Sequence, residues 1–302
     1  MENAIALFGL LAIRCWNGFL KPFLLAMSLG ILAGACFGDL AFAAPAGRPA
    51  QERSTAAELI TRAGRIRQQA QRIGKLYQQN GLRIDAEQAS RQLGKARQQM
   101  DADIALLTQA AMADKDRQIL ERIRDAWKEM ARLCDQPFSA NNQDTLTARA
   151  DDISMLGGRL AMHFELDATA ASARLLDLTL RQRMIVQRLA RLYLTAYAGN
   201  ATTGLLLDIE QARREFSTAL NELASAPENS PASTRAIDLA RMQWLFFDQS
   251  VLNIKDRQAS NPKNVATTSE RIQEMLDELS AQYARAVESE PPTVKTVASS
   301  AS

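Results

Sequence analysis

From Ser54 to Glu288 the apolar residues recur three and four positions apart, and no stretch alternates in the period-two manner of a strand. Glycine and proline are scarce over the same span. The pattern predicts an all-α chain. Turn-forming residues punctuate it at Asn80-Gly81, Ala113-Asp114, Gln136-Pro137 to Asn142, Gly199 to Thr203, Ala226 to Ser233 and Ala259 to Asn264. The intervals predict helices over 56–79, 85–111, 115–135 and 144–166, then over 168–198, 204–225, 232–257 and 266–287. Four amphipathic helices with short connections make an up-down-up-down bundle, and the chain holds two such sets.

The two sets are related by sequence. With Arg65 set against Arg181, the same offset pairs Arg67 with Arg183, Gln71 with Gln187, Arg72 with Arg188, Lys75 with Arg191 and Tyr77 with Tyr193. Ala96-Arg97 pairs with Ala212-Arg213 at that offset, and Ile104 with Leu220. Trp127 and Trp244 follow one position out of step, as a loop insertion gives. A slightly longer offset pairs Ile153, Leu156, Leu160 and Phe164 with Ile272, Met275, Leu279 and Tyr283. A constant offset marks an internal duplication. The expected architecture is two four-helix bundles in tandem, repeat one over 55–166 and repeat two over 168–287. Nothing between Phe164 and Leu175 stops a helix, so the last helix of repeat one is expected to run on into the first of repeat two. The segment 288–302, with Pro291-Pro292 followed by Ser and Ala, is expected to be a disordered tail.

The start of the chain has a different character. Arg14 and Lys21 precede an apolar run from Pro22 to Cys36, and Ala41-Phe42-Ala43 fits a small-x-small cleavage site. Residues 1–43 are therefore expected to be an export signal cut after Ala43, which implies a periplasmic protein. The alternatives are an uncleaved anchor, for which the run is short, and a lipoprotein, for which Ala33-Gly34-Ala35-Cys36 lacks the usual leucine. Cleavage leaves Cys134 as the one cysteine, so no internal disulfide can form and packing must hold the chain together. Lysine and arginine total 36 against 34 acidic residues, a net charge of +2 that gives no reason to expect nucleic acid as a partner. With His163 the sole histidine, no zinc or haem site can be written and no cofactor is expected. His163 itself reads as a packed or surface helix residue. The absence of an acid–base pair, a nucleophile with its base, or a metal cluster makes an enzyme the weakest class.

The candidate chemistry lies in the arginine-rich segments. Arg183 stands about 200° round the helix from Arg181, so the two cannot point the same way. A solvated face with snorkelling stems explains any one such segment. It gives less reason for both copies to keep three arginines, a glutamine and a tyrosine, although a recent duplication would also preserve them.

The run Arg181-Gln182-Arg183-Met184, followed by Gln187-Arg188, resembles the signature at the start of the PilJ-like domain, the N-terminal module of type IV pilus chemotaxis transducers. That module is similar to the periplasmic sensor of nitrate/nitrite sensor kinases. The resemblance implies antiparallel four-helix bundles and a non-enzymatic role. It also implies an anion, nitrate or nitrite, held between arginines of paired first helices. Carried over by position, Arg67 and Arg183 are the ligand residues, with Arg72 and Arg188 in support. Ala63-Gly64 matches the small pair that lets helices approach closely, whereas repeat two has Thr179-Leu180 and repeat one has Gln68 where methionine is usual. A planar guanidinium suits a planar trigonal anion, since it presents parallel N–H donors to two oxygens. One anion shared between Arg67 and Arg183 is the expected geometry. The expected reader of the signal is a membrane sensor kinase or chemotaxis receptor. The rival class is a helical interaction module that docks on such a receptor or a pilus component without a small ligand.

Overall fold

The computed structural model of the chain describes residues 54–290, apart from 169 and 257. Among the described residues every regular element is a helix: α1 (Ala56–Gly81), α2 (Ala86–Gln109), α3 (Asp114–Cys134), α4 (Ala140–Asp167), α5 (Ser172–Thr195), α6 (Thr203–Ser225), α7 (Pro231–Leu252) and α8 (Pro262–Ser289). A π-helical turn at Ala196–Asn200 extends α5, and a short 3-10 turn at Asn253–Lys255 extends α7. The expected signal segment and the part of the tail beyond Glu290 lie outside the described residues.

Side-chain caps set most of the starts. Thr55 accepts from the Glu58 amide while Glu58 reaches back to the Thr55 amide. Ser230 does the same with Ser233, and Pro231 follows at the first helical position. Ser139, Thr202 and Asn261 each cap through their side chains. The Asn80-Gly81 break falls where the sequence places it, but the left-handed residues are Arg83 and Asp85. Gly81 serves close approach: a Cβ there would lie 2.1 Å from the Phe138 ring.

Within each half the first helix is central, α1 packing on α2 and α4, and α5 on α6 and α8. The halves then meet through α1 and α5, with α1 also touching α8 and α5 touching α4. The correspondence is pseudo-twofold. Trp127 Nε1 donates to Asp101 at 2.7 Å, and Trp244 Nε1 donates to Ser217 at 3.0 Å in the equivalent place. One continuous core runs through both halves, so the described residues form a single compact unit.

α1 and α5 run parallel and in register. Gly64 lies against Leu180, Gln71 meets Arg191, and Gln78 meets Thr195. α4 runs antiparallel to α1, since Gly157 sits on Arg67 while Leu146 approaches Gly74. α4 and α5 therefore point in opposite directions, and the chain must reverse between them. This corrects the expected continuous helix: α4 ends at Asp167, Ala168 is extended, and α5 begins at Ser172. No proline or glycine marks the reversal. It is set by burial, because only a reversal lays the apolar face of α5 along α1. Glu290, just beyond α8, holds the new start by accepting from the Ser172 amide at 3.4 Å and from its hydroxyl.

Candidate functional site at the seam of the first helices

The seam carries an unusual load of polar groups for a helix interface. Arg67, Lys75, Arg183 and Arg191 are all buried, as are Gln68, Gln71, Gln182 and Gln187. Charges so placed must be paired. Lys75 of α1 reaches Glu270 of α8, and Arg191 of α5 reaches Asp151 of α4 at 2.8 Å. Both bridges cross from one half to the other, so they fix the halves against each other in register. Arg72 shares Glu270 through Nε at 3.0 Å and Nη2 at 2.6 Å. Burial alone would raise the Glu270 carboxyl, but Lys75 and Arg72 outweigh it and hold the pKa at about 2. Gln71 accepts from Arg191 Nε at 3.0 Å and donates to Asp151 at 2.8 Å. Gln68 and Gln187 both donate to Gln273, at 2.6 and 2.9 Å.

Arg67 and Arg183 occupy equivalent places but face opposite flanks of the seam. Arg67 Nη2 donates to the Asp177 carboxylate at 3.0 Å and to the Asp177 carbonyl at 3.3 Å. Arg183 pairs with Asp277 of α8. The groups acting most strongly on Arg67 include Arg181 and Glu215; those acting on Arg183 include Arg65, Arg72 and Asp103. Neither set contains the other arginine. Each of the two arginines thus has its own carboxylate, Asp177 for Arg67 and Asp277 for Arg183. On one flank Arg181 adds like charge to Arg67, and on the other Arg65 and Arg72 add it to Arg183. The reason lies in the register. In-register parallel helices bring Gly64 and Leu180 to the contact line, and the arginines three residues on splay to either side of it.

The two flanks also differ. The position equivalent to Asp277 is Gly158, where a Cβ would make an ordinary contact with Arg67 Nη1 at 3.6 Å. Arg67 therefore takes its carboxylate from the other half. Burial lowers the pKa of both guanidinium groups, opposed by Asp177 and by Asp277 respectively. In both arginines Nε is buried and has no hydrogen-bond partner. The outward pair behaves as the helical angle requires: Arg181 is half exposed and bridges to Glu215, and Arg65 Nε donates to Asp103 at 3.0 Å. Arg181 and Glu215 also line an open groove of about 700 Å³ between α5 and α6.

Of the four residues carried over from the resemblance, Arg67, Arg72 and Arg183 are thus ion-paired at the seam, and Arg188 lies further along α5, near Arg191. The sequence reading missed the acids. Asp151 and Glu270 stand three residues before Ser154 and Gln273 in equivalent helices, so an acid kept at both positions opposite a cation at 75 and 191 was a readable signal. His163 joins α4 to the first turn of α3, its Nδ1 2.6 Å from Asp116.

Residues 50–153, spanning α1 to α3 and the first half of α4, match the family described as type IV pili methyl-accepting chemotaxis transducer N-terminal domain, PilJ. The match does not extend over the second half. No curated protein and no solved structure matches the chain.

Proposed function

Taking residues 50–153 as a PilJ-family domain, we propose that the chain is an exported, non-catalytic sensory module that binds a small anion, nitrate or nitrite being favoured, between arginines of α1 and α5. The observation that carries this reading is the pair of buried guanidinium groups at equivalent positions, each with an unpartnered Nε–H. A buried donor without an acceptor is costly. A planar oxyanion approaching the edge of Arg67 or Arg183 would accept from Nε and a terminal nitrogen together, and would draw on Arg181 or on Arg65 for a second cation. Arg181 opens to solvent in the groove between α5 and α6. In the family such a module passes its signal to chemotaxis or membrane signalling components, and a membrane kinase or chemotaxis receptor would read it here. No helix among the described residues is long and apolar enough to cross a membrane.

The test is isothermal titration of the purified protein with nitrate, nitrite, sulfate and chloride. Nitrate or nitrite is expected to bind in preference to chloride. Arg67→Ala and Arg181→Ala are each expected to cost roughly 2–5 kcal/mol if the Arg67 flank is occupied. Arg67→Lys is expected to weaken binding too, since an ammonium cannot supply the fork.

A second reading is favoured by the carboxylates. Asp177, Asp277 and Glu270 already neutralise Arg67, Arg183 and Arg72. On this reading the arginines only lock the two halves together, and the module works by docking helix to helix on its receptor. Absence of heat with every anion at millimolar concentration would select it.

A further inference from the structure

A second cavity, of about 480 Å³, lies at the far end of the seam, between α4, the end of α5 and the start of α6. Its volume is in the range that takes a small organic ligand. One feature of its wall differs from the equivalent place in the other half. Arg188 is half buried there and has no carboxylate partner among the described residues, whereas its counterpart Arg72 is held by Glu270 through two nitrogens. Gln143 is buried, with its Oε1 unpartnered. At this cavity Arg188 is thus a donor without a carboxylate where its counterpart Arg72 has one.

The charges around Arg188 have both signs. Asp151 is committed to Arg191 and Gln71, but the exposed Asp144 and Asp208 line the same cavity, and Asp208 acts on Arg191. The wall also has an apolar part, with Leu82, Phe138, Leu192 and Leu205, beside the neutral polar Gln78, Thr147, Thr195 and Asn200. A simple anion such as nitrate would meet the two aspartates as well as the arginine and would leave the apolar wall uncovered. A ligand that meets these groups has a carboxylate for Arg188, an ammonium for Asp144 and Asp208, and an apolar side chain for the leucines and Phe138. We propose that this cavity binds an apolar α-amino acid, or a short peptide with the same zwitterionic ends, independently of the Arg67 and Arg183 flanks.

The experiment is titration of the purified protein with leucine, phenylalanine, Leu-Leu, N-acetyl-leucine and leucinamide. Leucine, phenylalanine or Leu-Leu is expected to bind, and the contrast between the first two and the third identifies the length of the ligand. Blocking the ammonium or the carboxylate is expected to weaken binding about 10- to 100-fold, the effect of losing one charge-assisted hydrogen bond set. Arg188→Gln is expected to weaken leucine to the same degree while leaving leucinamide unchanged, and Arg67→Ala is expected to leave leucine binding intact. Leu205→Trp, which fills the cavity from the half-exposed side of α6, should abolish binding with helicity unaltered by circular dichroism. Absence of binding by every zwitterion at about 10 mM, or equal affinity for leucine in the wild type and the well-folded Arg188→Gln protein, would overturn the proposal.

Discussion

Single residues decide how closely the halves meet. A Cβ on Gly64 would stand 2.7 Å from the Leu180 Cβ, which is tied to its own backbone and cannot swing away. The small residue on α1 and the large one on α5 are thus complementary, and the departure at Thr179-Leu180 from the small pair Ala63-Gly64 has a packing reason. Gly64→Ala is expected to destabilise the protein by about 1–3 kcal/mol in urea unfolding, because the overpacking pushes α1 from α5. The seam has the opposite character from Cys134, which sits near a helix end with burial pushing its thiol up to about 12. Iodoacetamide at about pH 8 is expected to label it slowly in the native protein and rapidly in urea, since the thiolate is the nucleophile.

At the scale of the element, the parallel pair of α1 and α5 is held by cross-half ion pairs rather than by apolar contact alone. Glu270→Gln leaves the fully buried Lys75 without a counter-charge, and it is expected to cost roughly 3–5 kcal/mol in chemical unfolding. The same carboxylate gives the seam an acid limit. Its folded pKa of about 2 lies below the ordinary value of 4.5, so its contribution is fully present above the ordinary value and is lost as pH falls through that interval toward the folded one. Thermal midpoints of the wild type are expected to drop across this window, and those of Glu270→Gln to drop less. An equal drop in both would remove Glu270 as the cause.

For the whole molecule, the consequence is that neither half is self-sufficient. α1 is buried along both sides, with α4 and α2 on one and α5 on the other. The segment 54–167 alone would expose the apolar and charged face that α5 covers. It is expected to pair with a second copy through α1, and sedimentation should report a dimer; a stable, fully helical monomer would show that the seam is dispensable.

Much of this was legible in the chain. The three-and-four periodicity identified eight helices, with starts and ends displaced by a few residues, because amphipathic faces and capping residues are local properties. The angle between Arg181 and Arg183 separated the exposed guanidinium from the buried one. Tertiary structure alone decided three things. The reversal after Asp167 carries no breaker, since it arises from where α5 must lie and not from what Ala168 prefers. The partners of the arginines are not fixed by spacing, because Asp177 comes from the opposite half for Arg67 while Asp277 comes from the same half for Arg183. That Gly64 lies against Leu180 follows from the parallel register of α1 and α5. A sequence states which residues are equivalent; only the packing of one half on the other determines which of them face each other.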